Sequence, residues 1–231
     1  MVGTKQLKEI KEGFIYILKS ERLKALILCS ALIVALLSIL NNYYVSLFQD
    51  LEISSVIIGI VSATATFTCS YASKMQNVFH QKLRNKTLIT IAMMLSISTM
   101  ITGLCGLGVS LQYMILTVII IIMNLIHGFG KGMYYTIKDK YLRNFANEKI
   151  DTKIFAANNL FSGVAKVIVG LLASFLLDKT TTANSMIITG IIFTIMYVLM
   201  GKYMKTRVGL KPEEYSKDET KYDEQREVEK G

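Results

Sequence analysis

The chain has few cysteines and long stretches without charge. Its three cysteines, Cys29, Cys69 and Cys105, have spacings that suit neither a zinc site nor a disulfide framework. They read as small packing residues. No Asp, Glu, Lys or Arg occurs from Ala25 to Gln49, Ile53 to Ser73, Thr87 to Gly130 or Thr180 to Gly201. Ile154 to Leu177 is broken only by Lys166. A soluble domain would have to bury five long uncharged core helices, which excludes that class. A charge-free helix of roughly 20 residues spans the hydrocarbon core of a bilayer. Four windows suit one crossing each, and Thr87–Gly130 is long enough for two, with Gly106 to Gln112 as the turn. The spacing therefore predicts an all-α, polytopic bundle of six spans, at about 25–48, 53–75, 87–108, 111–133, 153–177 and 184–204.

What is present falls between the windows. Residues 1–24 hold 6 of the 26 basic residues, the loop after the second span 4, the loop after the fourth 6, and the tail from Lys202 onward 8. Only Lys166, inside a span, and Lys179 are left. Basic residues flank spans on the cytoplasmic side, so both termini are expected in the cytoplasm of a cell-membrane protein. The net charge of +9 is then a topology signal, and no basic soluble surface for nucleic acid is visible. Residues 1–24 lack the apolar core of a signal peptide. Leu7, Ile10, Phe14, Ile17 and Leu18 recur there at helical spacing among Lys and Glu, which reads as an amphipathic linker helix on the inner membrane surface. Residues 205–231 are polar with mixed charge and read as a disordered cytoplasmic tail.

All 17 acidic residues lie outside the spans, so no carboxylate relay can operate within this membrane domain alone. No Ser–His–Asp set, metal-ligand cluster or cofactor motif occurs there, which argues against an enzyme. GFGKG (Gly128–Gly132) lacks the phosphate-loop pattern and a preceding strand. Its glycines read as loosening the helix near its inner end.

Polar residues form stripes on four spans. They comprise Ser30, Ser38, Asn41 and Asn42; Gly59, Ser62, Thr66 and Ser70; Asn124, His127, Lys131 and Tyr135; and Asn159, Ser162, Lys166 and Gly170. Each stripe covers about a third of its helix. The stripes read as a polar cavity wall or, for the second span, as packing through small residues. Asn41, Asn42, Tyr43, Tyr44, Asn124, His127, Asn158, Asn159, Ser162 and Lys166 are the candidate cavity residues. Tyr43 and Tyr44 can also anchor at the interface, His127 can form an interhelical hydrogen bond, and Lys131 can snorkel to the inner surface. Lys166 lies near mid-membrane. It can meet an anionic substrate group, pair with a carboxylate of a partner, or sit neutral. Polarity places the first two helices of each triplet against an interior and the third helices against lipid, in a three-plus-three inverted repeat.

Six spans with cytoplasmic ends, a basic loop after the second and a long amphipathic loop after the fourth resemble the C-terminal half of a major facilitator superfamily permease. LKEIKEGFIYILKSERLKALIL is similar to the linker into the seventh span of such proteins. YLRNFANEKIDTKIFAANNLFSGVAKVIVGLLASFLLD resembles their loop and eleventh span, and YMKTRVGLKPEEY resembles their close. SKMQNVFHQKLRNK (Ser73–Lys86) keeps the basic cluster of the family's internal loop but has no acid. The Arg-Ala-Thr entry to the eleventh span is replaced by Lys153, Ile154 and Phe155. The resemblance implies transport of a small-molecule substrate by alternating access, as half of a secondary transporter. The expected partner is a second six-span half, either an N-terminal half or a second copy. A chain starting in the linker implies a truncated product, a split transporter or a half that dimerises. The alternative is a non-transporting scaffold or an inactive remnant. Short cytoplasmic loops without a nucleotide motif disfavour an ATP-driven transporter.

Cysteines introduced at Ser54 and Thr182 of a cysteine-free chain should label from outside intact cells, and one at Lys82 should not. External labelling at Lys82 alone would reverse the orientation.

Overall fold

The structure is a computed structural model and describes residues 13–83, 86–108, 113–145 and 151–204. A short helix, α1, covers 13–19. Six long helices follow: α2 (Glu21–Asp50), α3 (Ser55–Leu83), α4 (Thr87–Gly108), α5 (Tyr113–Phe145), α6 (Asp151–Lys179) and α7 (Thr182–Met204). All six are long and apolar enough to cross a membrane, since a helix satisfies its own backbone hydrogen bonds in hydrocarbon. The helices α3 and α5 continue to Leu83 and Phe145, beyond the span ends expected at 75 and 133. The tail from 205 and most of the expected amphipathic helix lie outside the described residues.

Local signals set the helix ends. Ser20 caps α2, its hydroxyl accepting from Leu23 N at 3.3 Å, and Glu21 complements the helix dipole in the first turn. At the other end the N–H groups of Glu52 and Ile53 donate to Gln49 O and Phe48 O, both at 2.9 Å. This is a Schellman closure. It requires Glu52 at φ 54, a left-handed conformation that costs a non-glycine residue about 1–2 kcal/mol.

The bundle is organised around α2. Within its most apolar window 78% of residues are buried, against 11% in α3 and in α6. The most extensive contacts pair α4 with α7, α3 with α5, α4 with α5 and α2 with α6, followed by α2 with α7. Exchanging the triplets α2–α3–α4 and α5–α6–α7 maps these pairs onto one another. Three crossings per triplet give the two triplets opposite orientations, as an inverted repeat requires.

The third helices do not simply face lipid, contrary to the polarity argument. The helices α4 and α7 pack on each other and on α2, and between them bury Ser96, Thr99, Thr102, Ser185 and Thr189. The hydroxyls of Thr99 and Thr102 donate to Leu95 O and Ser98 O of their own helix, at 2.7 and 2.8 Å. Thr194 Oγ1 meets Ser96 Oγ across the interface at 3.0 Å. Hydroxyls satisfied by their own backbone occupy a tight interface without desolvation cost. Only the outer faces, with residues such as Leu104, Leu107, Ile195 and Leu199, remain exposed.

The glycines of GFGKG also act otherwise than expected. The helix α5 runs through them unbroken. A Cβ on Gly128 would fall 2.5 Å from Ala65 O, and one on Gly132 would collide with Cys69 O. Ser73 Oγ donates to Gly132 O at 3.1 Å. The two glycines thus let α5 approach the small-residue stripe of α3, backbone against backbone. By contrast, a Cβ on Gly59 of α3, or on Gly163 or Gly170 of α6, would meet nothing within 4 Å.

Thr182 is buried while Thr181 is exposed, so Thr181 is the better position for the labelling cysteine between α6 and α7. Gly132→Val should destabilise the bundle by about 1–3 kcal/mol through overpacking. Gly170→Ala should be neutral or stabilising by up to about 1 kcal/mol. Thermal melts of the purified chain in detergent would check both, and equal melting of the two variants would contradict the α3–α5 contact.

Candidate functional site

Neighbouring residues on a helix point about 100° apart, so the polar run on α2 divides between two cavities. The first lies between α2, α3 and α5 and has a volume of about 130 Å³. Its wall is Asn41, Tyr44, Val45 and Phe48 from α2; Ser62, Ala65, Thr66 and Cys69 from α3; and Asn124, His127, Gly128 and Lys131 from α5. Each helix contributes positions i, i+3, i+4 and i+7, a single continuous stripe.

Tyr44 and His127 form its inner wall. Their rings stack at 5.7 Å and 14°. The Thr102 hydroxyl is engaged with Ser98 O, so the Tyr44 hydroxyl is the donor to Thr102 Oγ1, at 3.1 Å. The phenol is thereby held at its ring and at its tip. Asn124 and His127 are buried. His127 Nε2 has no hydrogen-bond partner, which in a buried polar group costs about 1–3 kcal/mol unless a ligand or water fills it. The hydroxyl of Thr66 donates to Ser62 O at 2.9 Å, so this hydroxyl places a satisfied group on the wall.

The second cavity, about 330 Å³, lies between α2 and α6. It is lined by Ser38, Asn42 and Tyr43 on one side and Lys166, Gly170 and Ser174 on the other. The Tyr43 hydroxyl pairs with Thr189 Oγ1 of α7 at 3.2 Å. Lys166 is exposed and forms no ion pair among the described residues. It stands 12 residues before Asp178, about 18 Å along the helix.

The structure therefore gathers Asn41, Tyr44, Asn124 and His127 in one place, and Asn42, Tyr43 and Lys166 in another. Asn158, Asn159 and Ser162 lie in α6 outside both cavities. Asn158 is buried with Oδ1 unpartnered, Ser162 is buried and Asn159 is exposed. Cys69 and Lys131 belong to the first wall although their sequence context gave packing and snorkelling. The shared i, i+3, i+4, i+7 spacing on three helices was the available signal. Among the described residues no group of three His, Cys, Asp or Glu side chains could hold a metal ion.

Six membrane-crossing helices in two exchangeable triplets, with a polar cavity against the central helix, define a multi-pass protein built like half of a secondary transporter. Residues 26–228 match the family model of the Major Facilitator Superfamily, and the chain belongs to that family. No curated protein and no solved structure gives a significant match.

Since Lys166 is exposed and unpaired within the described chain, Lys166→Met should leave membrane insertion and the melting temperature unchanged. In an assembled transporter it should abolish uptake. Fractionation, melting and proteoliposome uptake would check this, and unchanged uptake kinetics would remove Lys166 from the site.

Proposed function

We propose that this chain is one half of a secondary transporter, not an enzyme, and moves a small solute across the plasma membrane by alternating access, with both of its termini cytoplasmic. The observation that carries this reading is the cavity between α2, α3 and α5. It holds a buried, unpartnered His127 Nε2 beside Asn41 and Asn124, within the membrane-crossing part of α5. Polar groups held there without partners are expensive in a membrane and mark solute pathways. Transporters of this construction rock one half against another around such a site.

A second six-span unit fits the remaining surface. The faces of α3 and α6 are the most exposed in the bundle. They carry Asn159 and Lys166, which lipid tolerates poorly. They also carry Gly59, Gly163 and Gly170, whose open space would admit a closely packed helix. The unit that covers them is an N-terminal half or a second copy.

Two measurements test the reading. Cysteines at Gly59 and Gly163 in a cysteine-free background should cross-link to a second six-span unit in membranes. Proteoliposomes holding the assembly should take up solute from a labelled small-metabolite extract, and His127→Ala should cut that uptake about tenfold or more, the worth of a hydrogen bond to a charged or buried group. Uptake by a demonstrably monomeric chain would refute the need for a partner. An assembly without uptake of any component would favour a non-transporting scaffold.

A further inference from the structure

We infer that the cavity between α2, α3 and α5 binds a small soluble oxyanion, a carboxylate or a phosphate. This rests on the reading of that cavity as the solute site and names the solute class. Along α5 the wall runs from Asn124 through His127 to Lys131, about 10 Å toward the basic end of the bundle. Lys131 is exposed and has no ion pair among the described residues. Asp139, the nearest acid along α5, sits at 3.0 Å from Lys138. The wall itself contains no carboxylate, α3 has none, and the other described acids, Glu21, Asp50, Glu52, Asp151 and Asp178, stand at or near helix ends.

Charge and hydrogen-bonding capacity agree. A cation entering here would meet Lys131 without a counter-charge. An anion would find the ammonium at the mouth and the Asn41 and Asn124 amides, beside the His127 ring. Such hydrogen bonds are the stronger, charge-assisted kind. Lys166 lies across α2 in the second cavity, which likewise has no carboxylate in its lining. A cleft of one charge sign between apolar walls concentrates ions of the opposite sign. The volume of about 130 Å³ corresponds to about four waters, the scale of lactate or inorganic phosphate.

Cys69 on the wall supplies the readout. The full chain carrying Cys29→Ser and Cys105→Ser is placed in phosphatidylcholine nanodiscs, and Cys69 is labelled with N-ethylmaleimide. Lactate or inorganic phosphate should slow labelling, while choline and glycerol should not. Lys131→Gln should raise the protecting concentration about tenfold or more, with an unchanged melting temperature as evidence of an intact fold. Protection by choline or glycerol alone would overturn the anion and leave the solute-site reading standing. Protection in phosphatidylglycerol nanodiscs without added anion, together with none from lactate or phosphate, would assign the cavity to a lipid headgroup and overturn the proposal. No protection by any probe would overturn it as well. If His127→Ala then also leaves uptake by the assembly unchanged, the solute-site reading fails with it.

Discussion

The position of α2 is the constraint on which the rest of the bundle depends. Three tyrosine hydroxyls tie this helix to three others. Tyr134 of α5 meets Ser30 Oγ at 2.5 Å, Tyr43 meets Thr189 of α7, and Tyr44 meets Thr102 of α4. An interhelical hydrogen bond in a membrane contributes about 0.6 kcal/mol on average, so three of them stabilise the bundle only modestly. Their larger effect is on register and rotation. With Tyr43 turned to α7 and Tyr44 to α4, Asn42 and Asn41 are committed to opposite cavities. A rotation of α2 by one residue would carry one asparagine into the other's cavity and turn the other away from both.

Around this axis the bundle uses two kinds of helix surface. The α3–α5 and α4–α7 interfaces are built on small residues and self-satisfied hydroxyls, because apolar side chains gain little by leaving lipid for protein. Close backbone approach gives the dispersion contact that lipid cannot match. The other surface is the exposed side of α3 and α6, where the same residue types meet open space. Thus α3 offers Ala65, Cys69 and Ser73 to α5 while Gly59 and Thr64 look outward. One helix with small residues on two sides belongs between two close neighbours, and among the described residues α5 alone packs extensively on it.

The chemistry of the cavity follows from the same economy of charge. A carboxylate inside the spans would neutralise Lys131 or Lys166 at once, and the sequence places none there. Lysines at membrane depth without counter-ions are costly. His127 adds to that cost, because the ring that stacks on Tyr44 buries a nitrogen that nothing in the described chain satisfies.

The sequence by itself determined the class of the fold. Uninterrupted apolar runs of about 20 residues have one stable form in a bilayer, since only a helix satisfies its backbone locally. It also made part of the candidate cavity legible, because Asn124 and His127 are too polar to be placed against lipid at random. It did not separate Asn41 from Asn42, nor show that Asn158, Asn159 and Ser162 fall away from both cavities. It read the glycines of α5 as a loose helix and the third helices as lipid-facing. Those distinctions depend on how each helix is rotated and which neighbour it meets. In lipid that choice is made by close packing of small side chains and by a few hydroxyl pairs, which leave no hydropathy period behind. Only the tertiary structure decided that Tyr44 would stack on His127 and bring three separate stripes together around one small space.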